Sequence, residues 1–194
     1  MDRQISFGQY KLIDNALFAG MLVISEIIII TASSRWFPGQ LYTVSVTAAI
    51  TAIVMMRWGC TSAFHAALGA LVYVGIQKGS PGQFLIYIIG NEAALLLIPV
   101  VRLAGKKKIR ENVVLTMVYA LSVQLLMQLG RGIVSVVLGS DAGAILKFIT
   151  MDALSLLFTI LIVYVASRLD GVFEDQKSYL LRIQKEKELE NGDI

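Results

Sequence analysis

The chain has 194 residues, 56% of them hydrophobic, and a mean hydropathy of +0.71. Its length fits one domain, and this apolar fraction excludes an ordinary soluble one. The net charge of +3 is small and the basic residues gather beside apolar runs, which points to membrane topology rather than nucleic-acid binding.

In chain order the apolar runs predict six membrane-spanning helices, over 12–34, 41–57, 61–77, 83–103, 112–138 and 145–168. FPG (Phe37–Gly39), RWG (Arg57–Gly59), KGSPG (Lys78–Gly82), GKKKIR (Gly105–Arg110) and GSDAG (Gly139–Gly143) punctuate them. Strand-like alternation is missing, so the expected class is an all-α integral membrane protein. The first run carries Glu26 and no small-x-small cleavage signal, so it is expected to be a retained helix rather than a removable leader. Spans two and three are short and joined by almost nothing, which predicts a tight or tilted helical hairpin.

Orientation follows from lysine and arginine. With the N-terminus inside, thirteen basic residues fall on the inner side, including Arg57, Arg102, Lys106 to Lys108 and Arg110; Arg35, Lys78, Arg131 and Lys147 fall outside. That imbalance puts both termini in the cytoplasm of a multi-pass protein, expected in a prokaryotic cell membrane. Residues 1–170 form the expected membrane domain. The charged remainder, 171–194, is expected to be a cytoplasmic tail with a helix over about 172–190, either solvated or docked against a partner through Phe173, Leu180, Leu181 and Ile183.

The two halves differ in residue type. Spans one to three carry small residues four apart: Ala16 and Gly20, Ala48 and Ala52, Ala63 and Ala67. Such faces let helices approach closely in lipid and serve either internal packing or a partner membrane protein. Spans four to six carry polar residues instead. Gln83, Tyr87 and Asn91 share a face, Glu92 lies beside Asn91, and Gln124, Gln128 and Arg131 share another. Lys147 and Asp152 enter on the sixth span, with Ser155 and Thr159 on the Asp152 face. All converge on one half of the bilayer.

A charge at bilayer depth costs about 2.5–3.5 kcal/mol on insertion scales, so these groups should face a cavity or one another. A pocket of amides, both charge signs and aromatics suits a small polar solute, with Trp36 and Tyr87 available to stack on a ring and Arg131 or Lys147 to hold an anionic group. The alternative is internal pairing, Glu92 with Arg131 and Asp152 with Lys147.

Other residues suggest less. Cys60 has no partner for a disulfide, and the lone His65 lacks a second ligand at helical spacing, so neither a metal nor another cofactor is expected. No nucleophile, base and orienting acid can be assembled, and no nucleotide-binding motif occurs; the expectation is not an enzyme.

ALFAG (Ala16–Gly20), MRWGCTSAFHAALGAL (Met56–Leu71) and YIIGNEAALL (Tyr87–Leu96), with the basic GKKKIR loop, resemble the substrate-binding S component of an energy-coupling factor transporter. The resemblance covers about 12–168, and it implies six helices that capture a vitamin or related micronutrient from outside. It also implies partners: a membrane coupling protein, engaged through helices one to three, and two ATPase subunits. The small-residue motif of that family maps onto Ala16 and Gly20, with glycine where a second alanine is usual. Two other classes remain open: a cell-envelope scaffold resembling the rod-shape-determining MreD group, and an autonomous proton-coupled transporter using Glu26, Glu92 and Asp152.

Overall fold

A computed structural model describes residues 6–36 and 44–192. Every regular element among them is helical, and the polar-inward, apolar-outward pattern of a membrane protein is clearest in α1 (Phe7–Trp36). Its buried residues are Asp14, Leu22, Glu26 and Ile30, a narrow stripe with two carboxylates in it. Leu12, Leu17, Ile24 and Ile28 are exposed on the other faces. In water that arrangement would be inverted.

α2 (Thr47–Trp58) is buried at every position from Thr47 to Arg57. It ends at Gly59, whose φ of +65° is a turn that side chains with a Cβ rarely adopt. A 3₁₀ turn (Gly59–Thr61) then leads into α3 (Ser62–Ile76). The two helices fold back on each other: a Cβ on Gly69 would lie 2.2 Å from the Thr47 hydroxyl oxygen, at the far end of α2. The expected hairpin is therefore present. The start of the second predicted span, 41–43, lies outside the described residues.

α4 (Pro81–Asn91) opens with a reciprocal cap: Ser80 accepts from the Gln83 backbone, and the Gln83 side chain accepts from the Ser80 backbone. It tightens into a 3₁₀ turn (Glu92–Leu96) and resumes as α5 (Leu97–Ala104). After Gly105, with φ of +86°, come the short basic α6 (Lys106–Glu111) and the long α7 (Val113–Val137), capped by the Asn112 carboxamide. α8 (Gly143–Met151) and α9 (Ala153–Arg168) form one bent run, deflected by 50° at Asp152.

Four helical stretches are long and apolar enough to cross a membrane, or five with the bent pair counted as one span. Thr47–Ile76 enters that count as one stretch although it is the folded hairpin, whose arms are about 18 and 22 Å long at 1.5 Å per residue.

One end of the bundle brings the start of α1 together with the segment after α9. The Phe7 ring lies 5.7 Å from that of Trp58, and the Tyr10 hydroxyl donates to Gln176 at 2.9 Å. Arg57 binds Asp14 by a two-point fork, at 2.9 and 2.6 Å, and also donates to the backbone oxygens of Gly171 and Val172. Phe173 is fully buried, its ring edge-on to Tyr119. Lys106 pairs with Asp175 at 2.7 Å, and Arg110 pairs with Glu174.

Residues 171–176 thus pack on the bundle of this same chain; of the four apolar residues expected to dock, Phe173 is buried and Leu181 is exposed. α10 begins at Gln176 (Gln176–Gly192), four residues later than the sequence predicts, because residues 171–175 are used in docking.

Candidate functional site

Two glycine contacts build the polar site. A Cβ on Gly130 would stand 2.2 Å from the Gly90 carbonyl oxygen, and one on Gly90 would stand 2.5 Å from the Arg131 backbone nitrogen. α4 and α7 therefore cross backbone to backbone, which only glycine permits, and the crossing brings the next residue of each helix together. Arg131 Nε donates to Asn91 Oδ1 at 2.7 Å, and Asn91 Nδ2 donates to the Ala66 carbonyl of α3 at 3.0 Å. Gly132, two residues on and so on the other side of α7, performs the same service where its missing Cβ admits Ile145 of α8.

Arg131 NH1 then donates to Asp152 Oδ2 at 2.7 Å, at the break between α8 and α9. The guanidinium lies over the Tyr87 ring, 4.7 Å from its centroid, and Tyr73 stacks on Tyr87 at 5.1 Å. Asn91, Arg131 and Asp152 are all buried. The space left among them, bounded also by Ser45, Thr47 and Gly69, is about 10 Å³, room for about one water.

Deeper along α7, Gln128 is fully buried and Gln124 accepts from the Thr159 hydroxyl at 3.2 Å. Ser155 reaches the Ser45 backbone at 3.0 Å, which joins the cluster to Glu26. One oxygen of that carboxylate accepts from the Ser45 and Thr47 hydroxyls, at 2.5 and 2.6 Å, and from the backbone nitrogens of Val46 and Thr47. Val46 has no capping side chain, so the Glu26 carboxyl oxygen of α1 supplies the cap of α2 from outside.

Of the residues expected at the site, the structure brings together Tyr87, Asn91, Arg131 and Asp152, with Gln124 and Gln128 alongside. It leaves four apart. Trp36 is 75% exposed at the end of α1. Gln83 is occupied in the α4 cap, a use that SPGQ (Ser80–Gln83) announces by its Ser-x-x-Gln spacing. Glu92 is half-buried and forms none of the cluster's bonds, because it stands about 100° around the helix from Asn91. Lys147 is exposed on α8, ahead of the bend. Neither Glu92–Arg131 nor Asp152–Lys147 forms; the pair is Arg131–Asp152.

The small-residue faces divide as well. Ala48 and Ala52 are buried in the core of the fully enclosed α2 and are not available to a partner. Ala16 and Gly20 are exposed, and Ala63 and Ala67 are half-buried. Tyr73, Ser45, Thr47 and Glu26 belong to the network without having been placed there by helical spacing. The mid-helix glycines of LGRG (Leu129–Gly132) were the signal for the crossing, since such glycines cost about 1 kcal/mol against alanine. His65 is buried with its ring nitrogens 3.1 and 3.3 Å from the Asn15 and Thr61 carbonyl oxygens, and no group of three metal-ligating side chains occurs among the described residues.

No family, curated protein or solved structure compared with this chain matches it.

Proposed function

We propose that the chain is a solute-binding membrane subunit of the energy-coupling factor kind, which captures a small vitamin-like molecule. The observation that carries this reading is the meeting of Asn91, Arg131 and Asp152, all buried and from three separate helical runs. Charged groups buried among membrane-length apolar helices are concentrated at functional sites.

The site is closed here, so capture proceeds by exchange. An anionic group on the solute replaces the Asp152 carboxylate on the Arg131 fork, Asn91 keeps its bond, and Tyr87 and Tyr73 supply a stacking surface. The bend at Asp152 lets the carboxylate withdraw without unwinding a continuous helix. In this reading the termini are cytoplasmic, the site opens outward, and a coupling protein with two ATPase subunits engages the face of α1 and α3 that carries Ala16, Gly20, Ala63 and Ala67.

Calorimetry on the purified chain with a panel of water-soluble vitamins tests it. One member should bind, and Arg131→Leu with Asp152→Leu should abolish that binding while leaving a folded protein. Binding by no member sinks the proposal.

A second reading, a cell-envelope scaffold, is favoured by the 10 Å³ left in the cluster and by the internal pairing of its charges. It predicts that Arg131→Asp with Asp152→Arg restores the folded protein and the full phenotype, with no solute involved.

A further inference from the structure

The basic end of the bundle holds a larger hollow, about 290 Å³, distinct from the Arg131 cluster. Its floor is apolar: Met55 of α2 and Ile98 and Val101 of α5 are all buried. Phe7 and Trp58 form an aromatic wall, and the Trp58 ring is pinned by its Nε1 donating to Asp14 at 2.5 Å.

The rim is cationic. Arg57 is consumed by Asp14 and two backbone oxygens, and Lys106 by Asp175. Lys11, Arg102 and Lys177 also line the hollow, and none of them carries an ion pair among the described residues. Three cations without a carboxylate partner among the described residues, from α1, α5 and α10, thus line one hollow with an apolar floor, and the Lys11 ammonium also lies over the Trp58 ring, 5.6 Å from its centroid. Like charges lining one hollow repel, and an anion between them removes the repulsion.

The mouth sits at a chemical boundary. Val100 and Leu103, exposed on the same helix as Arg102, present an apolar surface. Lys107 and Lys108, exposed on α6, begin a wholly charged one. Interfacial tryptophan and lysine or arginine at the end of apolar helices mark headgroup depth in a bilayer.

We propose that this hollow binds a phosphate-bearing anion, and specifically the headgroup of an anionic phospholipid. The phosphate sits among Lys11, Arg102 and Lys177, with the arginine fork giving two-point contact, and the first carbons of the lipid lie on Met55, Ile98 and Val101. Because Lys177 opens α10, the bound phosphate also ties that helix to the membrane bundle.

The test uses the full chain in detergent, with native mass spectrometry and thermal unfolding as readouts. Short-chain phosphatidylglycerol, phosphatidylcholine and soluble glycerol phosphate are the probes. Phosphatidylglycerol should form a one-to-one adduct and raise the unfolding midpoint, while phosphatidylcholine should do neither. Arg102→Ala with Lys177→Ala should weaken the phosphatidylglycerol adduct about tenfold or more, since each cation near such a headgroup is worth about 1 kcal/mol. Both residues are exposed, and an unchanged midpoint without lipid verifies that the variant folds.

Glycerol phosphate binding as tightly as the lipid would keep the phosphate site and assign it to a soluble ester. The inference is overturned if the double variant retains phosphatidylglycerol as well as the parent does, or if phosphatidylcholine binds equally.

Discussion

Arg57 and Arg131 are both buried in this bundle and each answers one aspartate, yet they do different work. Arg57 grips Asp14 with Nε and NH2 and places NH1 on the carbonyls of Gly171 and Val172, so all three nitrogens are held. Asp14 in turn lies within the unbroken α1 and receives Trp58 as well. Arg131 grips Asp152 through one nitrogen and Asn91 through another, beside a small cavity, and its aspartate stands at a helix break. What a buried arginine does in this bundle depends on what holds its remaining donors and on whether its acid can move. The first pair is a fastener between α1, α2 and the segment after α9; under the proposed function the second exchanges its partner for the solute.

The largest effect that tests this contrast is Asp14→Ala. It strands the Arg57 charge in the interior and should lower the unfolding free energy by about 3–5 kcal/mol, read from thermal or denaturant unfolding in detergent. Next comes Asp152→Asn, which keeps an acceptor oxygen and removes only the charge, for a loss of about 1–3 kcal/mol in the same assay. Equal losses for the two variants would erase the distinction.

Paired replacement sharpens it. Arg131→Leu with Asp152→Leu should leave the folded state within about 1.5 kcal/mol of the parent or above it, as apolar pairs often do for buried ion pairs. Arg57→Leu with Asp14→Leu should destabilise more, because it leaves the Gly171 and Val172 carbonyls and the Trp58 Nε1 without partners, where the first pair leaves only the Asn91 carboxamide oxygen without its donor.

Gly130→Ala asks whether the α4–α7 crossing positions the Arg131 cluster. The new Cβ would meet the Gly90 carbonyl, and the neighbour is backbone, so a cost of about 1–3 kcal/mol is expected. Gly20→Ala is the control: its Cβ would meet nothing within 4 Å, and it should gain up to about 1 kcal/mol of helix propensity.

The smallest effect concerns pH at the docked segment. Burial works to raise the Asp175 carboxyl, but the Lys106 ammonium and the Ser178 backbone and hydroxyl outweigh it and hold the carboxyl below its ordinary range. A depressed folded value means that the contact contributes above the ordinary aspartate range and is lost as pH falls through the lower folded value. Hydrogen exchange at the start of α10 should therefore speed up modestly in acid in the parent and much less in Asp175→Asn.

Much of the site was legible before any coordinates. Helical spacing put Tyr87 and Asn91 on one face and Gln124, Gln128 and Arg131 on another, and those faces do meet. Spacing could not choose Asp152 over Glu92 as the partner of Arg131. That choice follows from the bend between α8 and α9, which breaks the regular rotation used to assign faces and brings Asp152 to Arg131. Likewise Ala48 and Ala16 look alike as small residues in apolar runs, but α2 is enclosed on all sides and α1 is not.

The sequence by itself determined the helical class, the apolar lengths, and the confinement of polar residues to narrow stripes, because each of these follows from local composition and the 3.6-residue repeat. Only the tertiary structure decided that Glu26 caps a helix other than its own, that Phe173 pulls the segment after α9 into the bundle, and that Arg131 takes Asp152. Such pairings depend on where helices cross and stop, and a crossing is set by the contact of two distant glycines, which no single stretch of chain contains.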